Sequence, residues 1–348
     1  MLLPAYVSQT GDTELQGHKS VTFVPLALPW WQDALVPVSV QRVKGTLQMV
    51  RRLSPAIALT AGAAIVGLAL SACGSNSLST PGASNKPTVA QTKEVSLADK
   101  LPAKIKAAGK IVVGVDATYA PNEFLDADGK TVKGWDVDLF NAVAQKFGVT
   151  VEWQPANFDS IIIGVDSGKF DIGVSSFTIN DKRKTQANMV SYYSAGTEWA
   201  AAPGNPKKID PTAPCGFKVA VQKGTVQAEN DMAAKVKACA SAGKPVELQV
   251  YGGQDQATAA VVSGKADAML ADSPIVGYAI KQSNGKIASI GAPYDAAPYG
   301  YVLPKAETEF AQAIVDALKS LDASGDYKKT LTTWGAEAGA ISDFAVNP

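Results

Sequence analysis

From Cys73 onward the chain holds 26 lysines, 29 acidic residues, no histidine and one arginine, Arg183. Lysine meets the demand for solvated positive charge there. The lone arginine offers something lysine lacks, a planar fork that grips a carboxylate bidentately. It closes the run SSFTINDKR, Ser175 to Arg183, just past a strand end. The competing assignment is a surface arginine in a charged turn between Lys182 and Lys184. Asp272, in GKADAMLADSP, carries the opposite charge at a second strand end. Aspartate before Ser-Pro is also good N-cap chemistry for a helix starting near Pro274, and the two roles can coexist. A carboxylate binder and an ammonium binder together describe an α-amino-acid site. The missing histidine excludes a His general base, Ser-His-Asp and Cys-His arrangements and His-ligated metal from this part. No cofactor, metal or catalytic residue is expected.

The elements that must position these two residues repeat. Ser167-Gly168-Lys169-Phe170-Asp171 recurs as Ser263-Gly264-Lys265-Ala266-Asp267, each followed by a short apolar strand. Ligands of open α/β sheets bind beyond the carboxyl ends of strands. Chance similarity of so short a run is the alternative; a duplicated α/β unit explains it better and nominates Ser176 and Asp272 as facing positions across one cleft. Strands are predicted at 110–115, 149–153, 171–176, 217–221, 246–251, 266–271 and 299–303. Helices are predicted at 96–108, 137–147, 158–165, 226–240, 257–262, 274–281, 306–321 and 327–334. That alternation means a mainly parallel sheet flanked by helices. Gly224-Thr225-Val226 opens the helix at 226, whose free N–H groups suit an anion.

The 348 residues carry 32 basic and 32 acidic side chains and a net charge of zero, 46% of them hydrophobic. A dominant nucleic-acid footprint is excluded, and two lobes or domains fit the length. From Cys73 onward the net charge is −2.

The front of the chain reads as an address. Arg51 and Arg52 precede fifteen residues, Ala56 to Leu70, that are apolar except for one threonine. That is short of the roughly 20 needed to span a bilayer and matches a secretory signal. It ends in Leu70-Ser71-Ala72-Cys73-Gly74, which resembles a bacterial lipobox with Cys73 the acylated residue. Residues 49–72 fit a signal starting at Met49, so 1–48 is expected to be an upstream mis-assigned extension; the rival is a genuine extension. Residues 73–95, rich in Ser, Thr, Asn, Pro and Gly, read as a tether. The expected place is the outer face of the cytoplasmic membrane, with the protein a lipid-anchored monomer. Cys215 and Cys239, an even pair in an exported domain, predict a disulfide. Its loop of about 25 residues is worth roughly 3 kcal/mol in the chain-entropy model.

Four segments in order carry a family resemblance over about Lys110 to Trp334. They are DATYAPNEF with DGKTVKGWDVDL, SSFTINDKR with MVSYYSAG, VAVQKGTVQ, and GKADAMLADSP. Together they resemble the polar amino-acid-binding branch of the family 3 extracellular solute-binding proteins, receptors of ABC importers. The departure is Asn122-Glu123, where many relatives carry an aromatic or apolar residue beside the proline. The resemblance implies a two-lobed periplasmic-binding-protein fold of type II, each lobe a mainly parallel sheet flanked by helices. Two crossing strands would join the lobes, with residues 96–205 and 294–348 in lobe 1 and 206–293 in lobe 2. An amino acid would bind in the cleft between them and pass to a permease. By the same resemblance Arg183 matches the α-carboxylate clamp, Ser176 and Thr178 its neutral helpers, and Asp272 the ammonium partner. Tyr119 matches an aromatic lid, or ordinary core, and Phe158 an apolar wall. Thr225 and Val226 face the ligand from the second lobe. Asp116, Glu123 and Gln222 are candidates for the ligand side chain, where two carboxylates favour a cationic or amide-bearing amino acid; each could instead be satisfied in its own loop. The competing classes are an enzyme on the same fold, a dehydratase or peptidoglycan-cleaving relative with Glu123 as acid, and a purely structural surface lipoprotein.

Overall fold

The computed structural model describes residues 90–348. The upstream extension, the signal at 49–72, Cys73 and most of the tether lie outside the described residues.

The first half begins with α1 (Val95–Ala98) and α2 (Ala103–Ala108). A single helix at 96–108 is predicted, but Pro102 has no N–H to give and biases the residue before it away from helix. Then follow β1 (Lys110–Val115), a small antiparallel sheet of β2 (Thr118–Tyr119), β3 (Glu123–Leu125) and β4 (Val132–Lys133), and α3 (Trp135–Phe147). Gly134 makes the close contact between α3 and this small sheet. Its φ is +141°, and a Cβ there would lie 1.8 Å from the Asn122 carbonyl oxygen. The chain continues through β5 (Thr150–Pro155), α4 (Phe158–Asp166), β6 (Ile172–Gly173) and α5 (Asp181–Gln186) into β7 (Asn188–Ala201). The second half holds β8 (Lys218–Gln222), a π-helical turn (Gln227–Met232), α6 (Ala233–Ser241), β9 (Glu247–Tyr251), α7 (Gln254–Val262), β10 (Ala268–Asp272), α8 (Ser273–Gln282) and β11 (Ala288–Ser289). The chain then returns along β12 (Tyr294–Leu303) and ends in α9 (Thr308–Ala323) and α10 (Asp326–Trp334).

The strand order is β5-β1-β6-β12-β7-β10-β8-β9. The outer trios β5-β1-β6 and β10-β8-β9 are internally parallel. The long strands β7 and β12 run antiparallel between them, so they are the ribbon joining two α/β lobes. β7 was not predicted because its residues are buried along nearly the whole length, which erases the alternation that marks a half-exposed strand. The expected strand 171–176 shortens to Ile172–Gly173, since the backbone leaves the ladder and Ser176 takes a φ of +52°.

One core packs Trp135, Leu139, Phe140 and Phe147 of α3 against Ile111 and Val113 of β1 and Phe310, Ile314 and Leu318 of α9. Others fill the second lobe around Met269, Ile275 and Val276, and around Trp199, Val221 and Leu270. Cys215 and Cys239 form the disulfide, tying the start of β8 to α6.

Candidate functional site

The carboxyl ends of both parallel trios face one small cavity. It is lined by Tyr119, Phe158, Ser176, Thr178, Arg183, Thr225, Val226, Gln227 and Asp272. Its free volume is about 10 Å³, the space of a single water. An outer cleft of about 200 Å³ shares Phe158, Arg183 and Val226 with it and continues past Asp159, Lys182 and Glu229. A ligand of amino-acid size therefore requires the lobes to part.

Arg183 is placed by α5, whose N-cap Asn180 accepts the Arg183 backbone N–H at 2.9 Å. The guanidinium donates to the Thr178 carbonyl at 2.7 Å and, across the lobes, to the Gly224 carbonyl at 3.0 Å. It lies 5.4 Å from the ring centroids of both Phe158 and Phe177. Arg183 is 7% exposed, whereas the side chain of its neighbour Lys182 is 69% exposed. The surface-turn assignment therefore fails. Burial pulls the guanidinium down to about 10, against the attraction of Asp272, Glu229 and Tyr119.

Asp272 stands at the N-cap of α8, yet its side chain makes no capping bond. The carboxylate is drawn into the cavity instead. Oδ2 accepts from Tyr119 Oη at 2.8 Å and Tyr299 Oη at 2.6 Å, and Oδ1 accepts from Gln227 Nε2 at 2.7 Å. Burial raises its pKa, while the bonds from Tyr299, Tyr119 and Gln227 and the charge of Arg183 oppose that rise. The capping expectation is corrected: the backbone has cap geometry, but the three side-chain donors outcompete the helix N–H groups.

Of the residues nominated from sequence, Tyr119, Phe158, Ser176, Thr178, Arg183, Thr225, Val226 and Asp272 meet at the cavity. Asp116, Glu123 and Gln222 do not line it. Asp116 accepts from Phe158 N at 2.9 Å, Thr118 N at 3.1 Å, Thr118 Oγ1 at 2.7 Å and Gln222 Nε2 at 2.7 Å. Asp116 and Gln222 are thus bonded across the lobes, while Gln222 Oε1 is buried without a hydrogen-bond partner. Glu123 is fully buried behind Ser175 and Ser176. Gln227 is the wall residue missed in the sequence. It also donates to Thr197 Oγ1 at 3.0 Å, and it opens the π-helical turn, a geometry frequent at functional sites. Thr225 Oγ1 accepts from Ala228 N at 3.2 Å, so it fastens that turn as well as facing the cavity.

At the rim, Lys182 meets Glu229 at 2.6 Å and Lys223 meets Asp159 at 2.8 Å, each pair joining the two lobes. Partly exposed pairs of this kind contribute about 1 kcal/mol or less each.

Residues 111–337 match the family described as bacterial extracellular solute-binding proteins, family 3. The chain belongs to this family. Among the solute-binding proteins similar to it is the arginine-binding protein ArgT of Corynebacterium glutamicum, 34% identical over 248 residues, 71% of this chain and 81% of that protein. A solved ancestral arginine-binding protein bound to arginine is 31% identical, with a TM-score of 0.60 over 65% of this chain and 98% of the other. The ancestral amino acid-binding protein AncCDT-1, a precursor of cyclohexadienyl dehydratase, is 32% identical, with a TM-score of 0.58 over 66% of this chain and 97% of the other. The two-lobed type II fold is shared with these neighbours. Among the described residues, no helix is long and apolar enough to cross a membrane.

Proposed function

We propose that this solute-binding protein captures a polar amino acid, with a cationic side chain, between its lobes and delivers it to the permease of an ABC importer. The lobes divide as 96–205 with 294–348, and 206–293, with the ribbon ends at Trp199 and Tyr294 packing into the core of the second lobe. The observation that carries the reading is the opposition of two buried charges across one cavity, Arg183 from the first lobe and Asp272 from the second. Arg183 takes the ligand α-carboxylate and Asp272 its α-ammonium. Both charges are desolvated, and each regains a full charged partner only when a zwitterion arrives. As the lobes part, Gln222 leaves Asp116, whose Oδ2 then keeps only the bond from Phe158 N while Oδ1 stays with Thr118. That carboxylate is the group to meet a guanidinium or ammonium at the far end of the side chain. The similarity to arginine-binding proteins supports arginine as the first candidate.

A thermal-shift series of the twenty amino acids with ornithine and citrulline tests this. A ligand at a hundred times its Kd stabilises by about 2.7 kcal/mol. Arginine, lysine or ornithine are expected to raise the melting temperature and aspartate and glutamate to leave it unchanged. No response to any amino acid would overturn the reading. The similarity to a dehydratase precursor keeps an enzymatic reading testable: ligand recovered unchanged after prolonged incubation counts against it.

The protein is held to the membrane by acylation of Cys73. Cys73→Ser is expected to release the domain from membranes after the signal is cleaved. Cell fractionation that still finds the processed variant on membranes would refute the anchor.

A further inference from the structure

Behind Ser176 lies a fully buried polar cluster in which no residue is cationic. Glu123 of β3 and Asp136 of α3 are each 0% exposed. Asp116 at the end of β1, Tyr119 of β2, Tyr192 of β7 and Tyr301 of β12 are the other titratable groups that face Glu123. Two buried carboxylates with no cation between them cannot both stay ionised at modest cost, so the cluster retains a proton.

Hydrogen-bond polarity locates it. Asp136 Oδ2 accepts from Tyr192 Oη at 2.5 Å and from the Ser176 backbone N–H at 3.4 Å, and both donors favour its ionised form. Glu123 faces only the hydroxyls of Ser175, at 3.3 Å, and Ser176, at 3.2 Å. A hydroxyl can rotate and accept instead. Ser175 Oγ accepts the Asp116 backbone N–H at 3.0 Å, and Glu123 Oε1 is the acceptor that its own buried hydrogen reaches, so Ser175 donates to Oε1. The proton therefore belongs on Oε2, against Ser176.

Asn122 fixes the rest. Trp135 Nε1 can only donate, and it meets Asn122 Oδ1 at 2.7 Å. Asn122 Nδ2 must then face Ser176 Oγ, 2.9 Å away. With Glu123 protonated, Ser176 Oγ accepts from both Asn122 and Glu123, and its own hydrogen is free for the cavity. With Glu123 ionised, that hydrogen turns back to Oε2 and a lone pair faces the cavity.

We infer that Glu123, carrying this proton, is a positioning residue that aims the Ser176 hydroxyl at the ligand α-carboxylate, so that capture weakens when the proton is lost. The inference rests on the proposed site, in which Ser176 lies beside the ligand carboxylate. Burial and the neighbouring Asp136 push the Glu123 carboxyl well above the ordinary range, and burial lifts Asp136 to about 7. Ligand binding favours the protonated form, so affinity is full below the Glu123 titration and falls as pH rises through it.

The test is calorimetric titration with L-arginine on the wild type, Glu123→Gln and Ser176→Ala, at rising pH from 6 until the protonated-carboxyl infrared band of Glu123, absent from Glu123→Gln, has disappeared. In Glu123→Gln the amide N–H replaces the proton permanently. In Ser176→Ala the responding hydroxyl is gone. The wild type is expected to lose about tenfold in affinity as Glu123 ionises, relative to either variant, the worth of one charge-assisted bond. Titration of the ligand amine and of Asp272 is common to all three and cancels in the comparison. Should one variant fail to fold, the other gives the same comparison. A wild-type profile parallel to the folded variants overturns the inference alone. Arginine that binds the wild type at no pH overturns the arginine reading of the site, and the inference with it.

Discussion

Arg183→Lys is expected to fold and to lose roughly tenfold to hundredfold in amino-acid affinity. The guanidinium spends one N–H on the Thr178 carbonyl and another on the Gly224 carbonyl, and still has donors to offer a carboxylate. A lysine ammonium has three donors around one point and cannot meet two carbonyls and a carboxylate edge in that plane. The loss is that of one or more charge-assisted bonds. Because Gly224 lies in the opposite lobe, part of the loss should appear as weaker closure. Stability should change little, since the lysine stem still covers the Phe158 and Phe177 rings. Calorimetry on the variant decides: affinity within twofold of wild type would remove Arg183 from the carboxylate clamp.

Arg183 was legible because composition isolated it. From Cys73 onward lysine answers every other need for positive charge, which singles out the one arginine as the candidate planar fork. Asp272 was legible as a strand end repeated in both halves, but its direction was not. Cap chemistry and ligand chemistry ask for the same residue, and only the positions of Tyr119, Tyr299 and Gln227 show that the carboxylate turns to the cavity and not to the helix N–H groups. The same limit explains Asp116, Glu123 and Gln222. Their types suit a cationic side chain, but where a turn residue points depends on partners distant in sequence: Gln222 for Asp116, the 175–176 serines for Glu123. Gln227 escaped because a glutamine inside a helical segment carries no spacing signal, and it reaches Asp272 from a π-helical turn with no recognised pattern. In the fold, short parallel strands were read from compact apolar runs. The ribbon strand β7 was lost because burial on both faces leaves no period to detect.

Asp272→Asn separates ammonium binding from every structural role of that residue. The side chain caps nothing, so no helix start is at stake. The asparagine oxygen can replace Oδ2 and accept both tyrosine hydroxyls. Its amide then faces Gln227, whose side chain must flip to present oxygen in place of Nε2. The flip gives up the bond from Gln227 to Thr197, a neutral bond worth about 1 kcal/mol, and the Thr197 hydroxyl can turn to donate in its place. The variant should therefore melt within a few degrees of wild type. Removing the carboxylate's buried charge also relieves its desolvation, which limits the loss further. Binding should respond quite differently. An α-ammonium meeting a neutral amide loses the charge-assisted part of its bond, about 1.5–3 kcal/mol, or tenfold and more in Kd. Asp272→Ala tests less, since it leaves two tyrosine hydroxyls and the Gln227 amide without an acceptor and confounds stability with binding. A melting curve together with a binding isotherm on the asparagine variant is decisive. Unchanged binding would make Asp272 a residue that orders Tyr119 and Tyr299, and the amino-acid reading would then rest on Arg183.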